Sequence, residues 1–199
     1  MTLRVGVCVS GRGSNLQAIL DACHDGRLDA RVVYVGSSRK SAPALDRAKA
    51  AGVPAEAFPP AANGGRDAAQ QLMARRLVAA DVELVVLAGY DRILADPFWD
   101  VLGGRVPVIN IHPSVLPAFG GLNRLKVHDA VLAAGVAETG CTVHRAHRGM
   151  LDEGEILVQR RVPVLPGDDP ETLEARVLGE EHEAIVDAVA LFARRSVRV

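Results

Sequence analysis

Between Val108 and Pro117 the chain reads Val-Ile-Asn-Ile-His-Pro-Ser-Val-Leu-Pro, and its polar residues are spaced for chemistry. Side chains alternate across a strand, so Asn110 and His112 share one face while Ile109 and Ile111 share the other. Pro113 has no N–H to give a sheet ladder. That predicts a strand end just past His112, with both polar groups delivered to the carboxyl edge. An amide NH₂ beside a protonatable imidazole offers two donors to one point, as the developing oxyanion of an acyl transfer requires. The same pair also fits an ordinary strand end whose polar groups bond to neighbouring loops.

Three other segments carry candidate chemistry. Ser10-Gly-Arg-Gly-Ser-Asn15 follows an apolar strand pattern and opens a helical one, where glycines and helix-terminal amides suit a phosphate. Leu16 stands where a dinucleotide fingerprint has its third glycine. The alternative reading is a tight turn in which Ser14 or Asn15 caps the helix. Ala88-Gly-Tyr-Asp-Arg-Ile-Leu94 follows another strand, at the edge where open parallel sheets bind ligands; Arg92 there also fits a surface ion pair. Met150-Leu-Asp-Glu-Gly-Glu155 puts carboxylates in a turn before a strand. A carboxylate near His112 would orient it and favour imidazolium, and the residues alone do not choose among Asp152, Glu153 and Glu155. His128, His144, His147 and His182 show no metal-ligand spacing; His144, on a strand, reads as a structural histidine that can also reach the cleft.

These groups need a scaffold, and the periodicity supplies one. Strand patterns at Arg4–Val9, Arg31–Gly36, Ala55–Phe58, Leu84–Leu87 and Val106–Ile111 alternate with helical patterns at Asn15–His24, Ala42–Ala51 and about Asp67–Ala80. Alternation of this kind predicts an α/β fold with a Rossmann-like, mostly parallel sheet covered on both faces. After a helix at Val127–Ala134, strands at Thr139–His144 and Glu155–Pro163 are predicted to pair antiparallel. Asp169 as N-cap and Pro170 at the first position open a long helix to about Arg194.

At 199 residues, 49% of them hydrophobic, the chain fits one domain, with a phosphate-binding half over about 1–105 and a catalytic half over about 106–199. A net charge of −1 argues against a nucleic-acid surface. No stretch is long enough to span a membrane, and no signal-peptide pattern opens the chain. Three scattered cysteines, with no CxxC, support neither zinc nor a disulfide framework. A cytoplasmic protein is expected.

Taken together, SGRGSNLQAIL, LAGYDRIL, INIHPSVLPAF, TGCTVH and LDEGEILVQRRVPV resemble the phosphoribosylglycinamide formyltransferase family of purine synthesis, in family order and over essentially the whole chain. The resemblance implies transfer of a formyl group from 10-formyltetrahydrofolate, a co-substrate, to the amine of the glycinamide ribonucleotide, with no metal. It implies Asn110, His112 and Asp152 as the catalytic set, with Asp152 raising the pKa of His112. Gly13, Ser14 and Asn15 would hold the substrate phosphate and Glu181 the ribose. Arg66, Asp91, Arg92, Ile93 and Leu94 would line the folate pocket together with Asn110. It implies small-molecule partners only, and a monomer or homodimer. The chain departs from the family pattern at Asp91, usually an apolar methionine, in the 119–126 loop, and at Arg145-Ala146.

Four other readings fit less of the sequence. A formyltetrahydrofolate hydrolase usually carries an N-terminal regulatory domain, whereas here the first strand begins by residue 4. A methionyl-tRNA formyltransferase needs a tRNA-binding extension and a basic face. An NADP oxidoreductase, with Gly11-x-Gly13 and Ser37-Ser-Arg-Lys40 as its phosphate contacts, lacks the third glycine and leaves Asn110 and His112 unused. A catalytically silent phosphate-binding module is separated from an enzyme only by activity.

Overall fold

The computed structural model describes residues 2–122 and 124–196. Its elements run β1 (Leu3–Val9), α1 (Ser14–His24), β2 (Ala30–Ser37), α2 (Ala44–Ala50), β3 (Ala55–Ala57), a single 3₁₀ turn, α3 (Arg66–Ala79), β4 (Leu84–Leu87), α4 (Asp96–Leu102), β5 (Val108–His112), α5 (Arg124–Ala133), β6 (Glu138–Arg145), β7 (Ile156–Pro163) and α6 (Pro170–Ser196). One seven-stranded sheet has the order β3-β2-β1-β4-β5-β6-β7. β1 to β5 pair in parallel, and β5-β6 and β6-β7 are antiparallel, as the sequence pattern predicts for the last two strands. Because β1 lies between β2 and β4, the strand order reverses there, and a crevice opens beyond the carboxyl ends of β1 and β4.

Alternation decides which residues face which layer. Val5, Val7 and Val9 of β1, with Ile109 and Ile111 of β5, pack with Leu16 and Ile19 of α1 and Leu173, Val177 and Ile185 of α6. On the other face Cys8, Val85, Leu87 and Val108 meet Met73 and Leu77 of α3 and Phe98 and Leu102 of α4. Asn110 and His112 therefore leave the sheet on the α3/α4 side. The strand carrying them ends at His112, as Pro113 requires. At α6 the Thr172 N–H donates to Asp169 Oδ1 at 2.8 Å, the expected N-cap.

Two features differ from the sequence reading. α4 is a helix of two turns that the pattern does not reveal: Pro97 occupies its first turn, and only Phe98 and Leu102 are buried, too few to mark a period. The start of α1 has Gly13 as its N-cap, with φ +75° and no capping side chain, so neither Ser14 nor Asn15 serves as the cap.

Candidate active site

The centre of the site is the carboxylate of Asp152. Its Oδ2 lies 3.3 Å from His112 Nδ1 and accepts the Gly121 N–H at 3.0 Å. Its Oδ1 accepts from Asn110 Nδ2 at 3.3 Å and lies 3.3 Å from His144 Nε2. The His112 and Asp152 side chains are only 5% and 6% exposed. The structure thus selects Asp152 from the acidic turn; Glu153 and Glu155 are exposed, and Glu155 pairs with Arg145. Asp152 reaches inward from a backbone with φ +57°, and Phe119, opposite it, has φ +60°. Such conformations cost about 1–3 kcal/mol each for side chains other than glycine, so the surrounding contacts hold them.

His144 belongs to the same cluster. Antiparallel pairing sets Asn110 opposite His144, and its Nε2 comes within 3.1 Å of Asn110 Nδ2 while its Nδ1 donates to the Arg145 carbonyl. The loop after β5 is held by Thr142, which accepts the Leu116 N–H at 3.0 Å and donates to the Ser114 carbonyl at 2.7 Å. Gln159 Nε2 donates to that same hydroxyl at 2.9 Å. Thr142 and Gln159 escape motif reasoning, because both act through contacts between β6, β7 and a distant loop.

The Asp152 charge raises the His112 pKa as expected, but it does not set the net direction. Burial pushes the His112 pKa down, the Asp152 charge and the Phe119 carbonyl push it back up, and the net lies below the ordinary histidine value. Desolvation outweighs the carboxylate, so at neutral pH the ring is predominantly neutral. Burial also raises Asp152, but contact with His144, the Gly121 N–H and the charge on His112 overcome it, and the carboxylate stays ionised. His112 Nε2 faces the Phe119 carbonyl at 3.1 Å. Asn110 Nδ2 is engaged by an internal acceptor and His112 Nε2 faces a carbonyl, positions that a bound reactant would take over.

Of the residues expected on the nucleotide side, Asn15 and Glu181 meet at the start of α1. Asn15 Nδ2 donates to Glu181 Oε2 at 2.7 Å, joining α1 to α6, and both residues are buried. Asn15 Oδ1 is buried with no partner among the described residues, an acceptor position that suits a ligand hydroxyl or amine. Arg47 Nε donates to the Arg12 carbonyl at 2.9 Å and Arg12 pairs with Glu174, bracing the loop from both sides. A β-carbon on Gly13 would stand 2.5 Å from that of Ala44, so only glycine lets the loop pass this close to α2. With no side-chain cap, the first amides of α1 have no intrahelical acceptor and suit an anion.

The segment after β4 lies on the same sheet edge. Ile93 is 64% exposed, and Met150 and Leu151 beside Asp152 are about half exposed, an unusual display of apolar side chains beside a polar centre. Buried Gln70 fixes the segment: its Nε2 donates to the Ile93 carbonyl at 3.1 Å and its Oε1 accepts the Ala95 N–H at 2.6 Å. Arg66, exposed and paired with Asp67, stands one turn earlier on the same face of α3 as Gln70. Asp91 turns its carboxylate away, toward Ser38 and Arg39. Within the 119–126 stretch, residues 124–126 open α5 and Asn123 lies outside the described residues.

Burial lifts Cys8 and Cys141 to about 12 and Cys23 to about 11, so no thiolate is offered as a nucleophile. Among the described residues, no group of three His, Cys, Asp or Glu is arranged to hold a metal ion.

The sequence pattern of the formyl transferase family matches residues 3–189. Phosphoribosylglycinamide formyltransferase of Haemophilus influenzae is 35% identical over 98% of this chain and 90% of its own length. The trifunctional purine biosynthetic protein adenosine-3 of Drosophila pseudoobscura pseudoobscura is 44% identical over 98% of this chain, which spans only 14% of that protein. The crystal structure of glycinamide ribonucleotide transformylase 1 from Symbiobacterium toebii superimposes with a TM-score of 0.90 at 47% identity, covering 97% of this chain and 88% of that one. A family match over this span, joined to a relative covered along nine-tenths of its length, shows that the chain belongs to the formyl transferase family.

Proposed function

We propose that the chain transfers the formyl group of 10-formyltetrahydrofolate to the amine of 5-phosphoribosylglycinamide, giving the N-formyl product of purine biosynthesis. The observation that carries this reading is the His112–Asp152 pair beside Asn110 at the end of β5, on the sheet edge shared with the α1 loop. Gly13, Ser14 and Asn15 hold the phosphate, Glu181 takes the ribose hydroxyls, and this remote binding brings the amine to the formyl carbon. Arg66 and the Asp91–Leu94 segment, with Arg92, Ile93 and Asn110, line the folate site.

His112 enters neutral. As the amine nitrogen bonds to the formyl carbon, the carbonyl electron pair moves to oxygen and Asn110 NH₂ donates to that oxyanion. His112 Nε2 takes the proton the amine sheds, and Asp152 stabilises the resulting imidazolium. Collapse re-forms the carbonyl and breaks the bond to the folate nitrogen, which receives the proton from His112. The intermediate thus draws on a protonated His112 even though the resting ring is neutral. Each step uses side chains alone, and no metal enters it.

We read the two halves, about 1–105 and 106–199, as one working unit in the cytoplasm, active as a monomer or homodimer on small molecules and without nucleic acid or membrane partners. Three buried or half-buried free cysteines are compatible with a reducing compartment. The test is a spectrophotometric assay with both substrates beside an NADPH titration. Tetrahydrofolate release that requires the nucleotide supports the reading. Formate release without nucleotide would assign hydrolysis, and saturable NADPH binding would assign a dinucleotide site.

A further inference from the structure

Three strand ends are tied together by a polar knot that the reaction above does not use. Ser10 ends β1's run into the phosphate loop, Ser38 follows β2, and Asp91 follows β4. The Asp91 N–H donates to Ser10 Oγ at 3.0 Å, and Ser38 Oγ donates to Asp91 Oδ1 at 3.2 Å. Ser10 and Ser38 hydroxyls lie 2.7 Å apart and are buried; with the Ser38 proton committed to the carboxylate, Ser10 donates to Ser38. Arg39 closes the knot by pairing with Asp91 Oδ2. An apolar residue at position 91 would leave the Ser38 proton without this acceptor, so the carboxylate sets the direction of the whole relay.

We propose that Asp91 is a positioning residue that couples the nucleotide and folate half-sites. Its backbone begins the segment assigned to folate and its hydrogen bonds fix the first residue of the loop assigned to phosphate, while its carboxylate faces Ser38 and Arg39. A ligand that orders either segment orders Asp91, and so lowers the cost of ordering the other. Linkage makes the effect reciprocal. The inference rests on the formyl-transfer reading for the identity of the ligands.

The experiment is calorimetric titration of glycinamide ribonucleotide and of tetrahydrofolate, each alone and with the other at saturation. In the unsubstituted protein each ligand should tighten the other by about 10-fold, within the usual range of such couplings. Asp91→Ala and Ser38→Ala should bring that factor close to 1, and Asp91→Ala should raise both KM values more than it lowers kcat. Asp91→Asn keeps an acceptor for Ser38 and should retain part of the coupling. Arg39→Ala, on an exposed side chain, tests the ion pair if the Asp91 variants do not fold. An uncoupled unsubstituted protein, or full coupling in Asp91→Met, overturns the proposal. Failure of the unsubstituted protein to bind either ligand would instead overturn the functional reading.

Discussion

Asp152→Asn removes one charge from the centre of the site and almost no volume. The carboxylate lies 3.3 Å from His112 Nδ1 in a pair that is nearly closed to solvent. Opposite charges about 4 Å apart attract by about 4 kcal/mol at an effective dielectric of 20, and an opposite charge in contact moves a pKa by about 1–3 units. In the folded protein burial already holds His112 below its ordinary value against that attraction. Without the charge, the pKa should fall further. The sign for activity follows from the starting state. In the proposed mechanism a neutral ring accepts the amine proton, so turnover should rise with pH as His112 loses its own proton. The acid limb of the profile should therefore move to lower pH in the variant. On the plateau the imidazolium formed during transfer has lost its counter-charge, and about 4 kcal/mol corresponds to a loss of about 10³ in kcat.

The assay is an NMR titration of the His112 ring, run beside a pH–rate profile. Glu153→Gln, in the exposed adjacent position, serves as the control and should change neither. An unmoved His112 pKa in Asp152→Asn, or an equal shift in Glu153→Gln, would refute the electrostatic argument. Asp152 would then be a carboxylate that holds Gly121 and Asn110 in place and does nothing to the proton.

Further expectations follow from the same geometry. His112→Ala should leave the fold intact and lower turnover by about 10²–10⁴, which steady-state kinetics and thermal melting together check. Asn110→Ala should cost about 10²–10³ in kcat; a change confined to KM would make Asn110 a binding residue only. Gly13→Ala should weaken nucleotide binding far more than folate binding, because φ +75° and the 2.5 Å approach to Ala44 force the loop to move; separate titration of each ligand reads this. Gln70→Ala removes a buried acceptor and donor from the Ile93–Ala95 segment and should cost about 1–3 kcal/mol of stability, with folate affinity falling before nucleotide affinity does.

What the sequence discloses is mostly periodic. The strand through Asn110 and His112 is legible because alternation fixes its faces and Pro113 fixes its end, and β4 is read to its limits. What it hides is non-local. Nothing within Met150–Glu155 marks Asp152; its choice depends on a left-handed backbone and on a Gly121 N–H thirty-one residues away. Proximity of a carboxylate suggests a raised His112 pKa, but the depth of burial, which reverses the sign, is a property of the packed fold. His144 is ambiguous on a lone strand and becomes part of the site only once β6 pairs with β5 in one register. The knot at Asp91 joins positions 53 and 81 residues apart, beyond any motif.

The strand that matters most is the one shared by both halves of the sheet. β5 pairs in parallel with β4, and so belongs to the crevice at the end of β1 and β4; it pairs antiparallel with β6, and so receives His144 and, through the turn that follows, Asp152. A purely parallel sheet would bring helices rather than a returning strand to that edge, and no side chain would approach Asn110 from the far side. In the proposed mechanism the antiparallel extension therefore supplies the proton-handling groups, and the parallel half supplies the anchor. Their spacing is set independently by the Asn15–Glu181 bond, which ties the start of α1 to the middle of α6 across the two halves. Transfer requires reacting atoms about 3–3.5 Å apart. The proposed anchor on α1 and the proposed base on β5 can hold that distance only because sheet pairing and the α1–α6 contact fix it by separate routes.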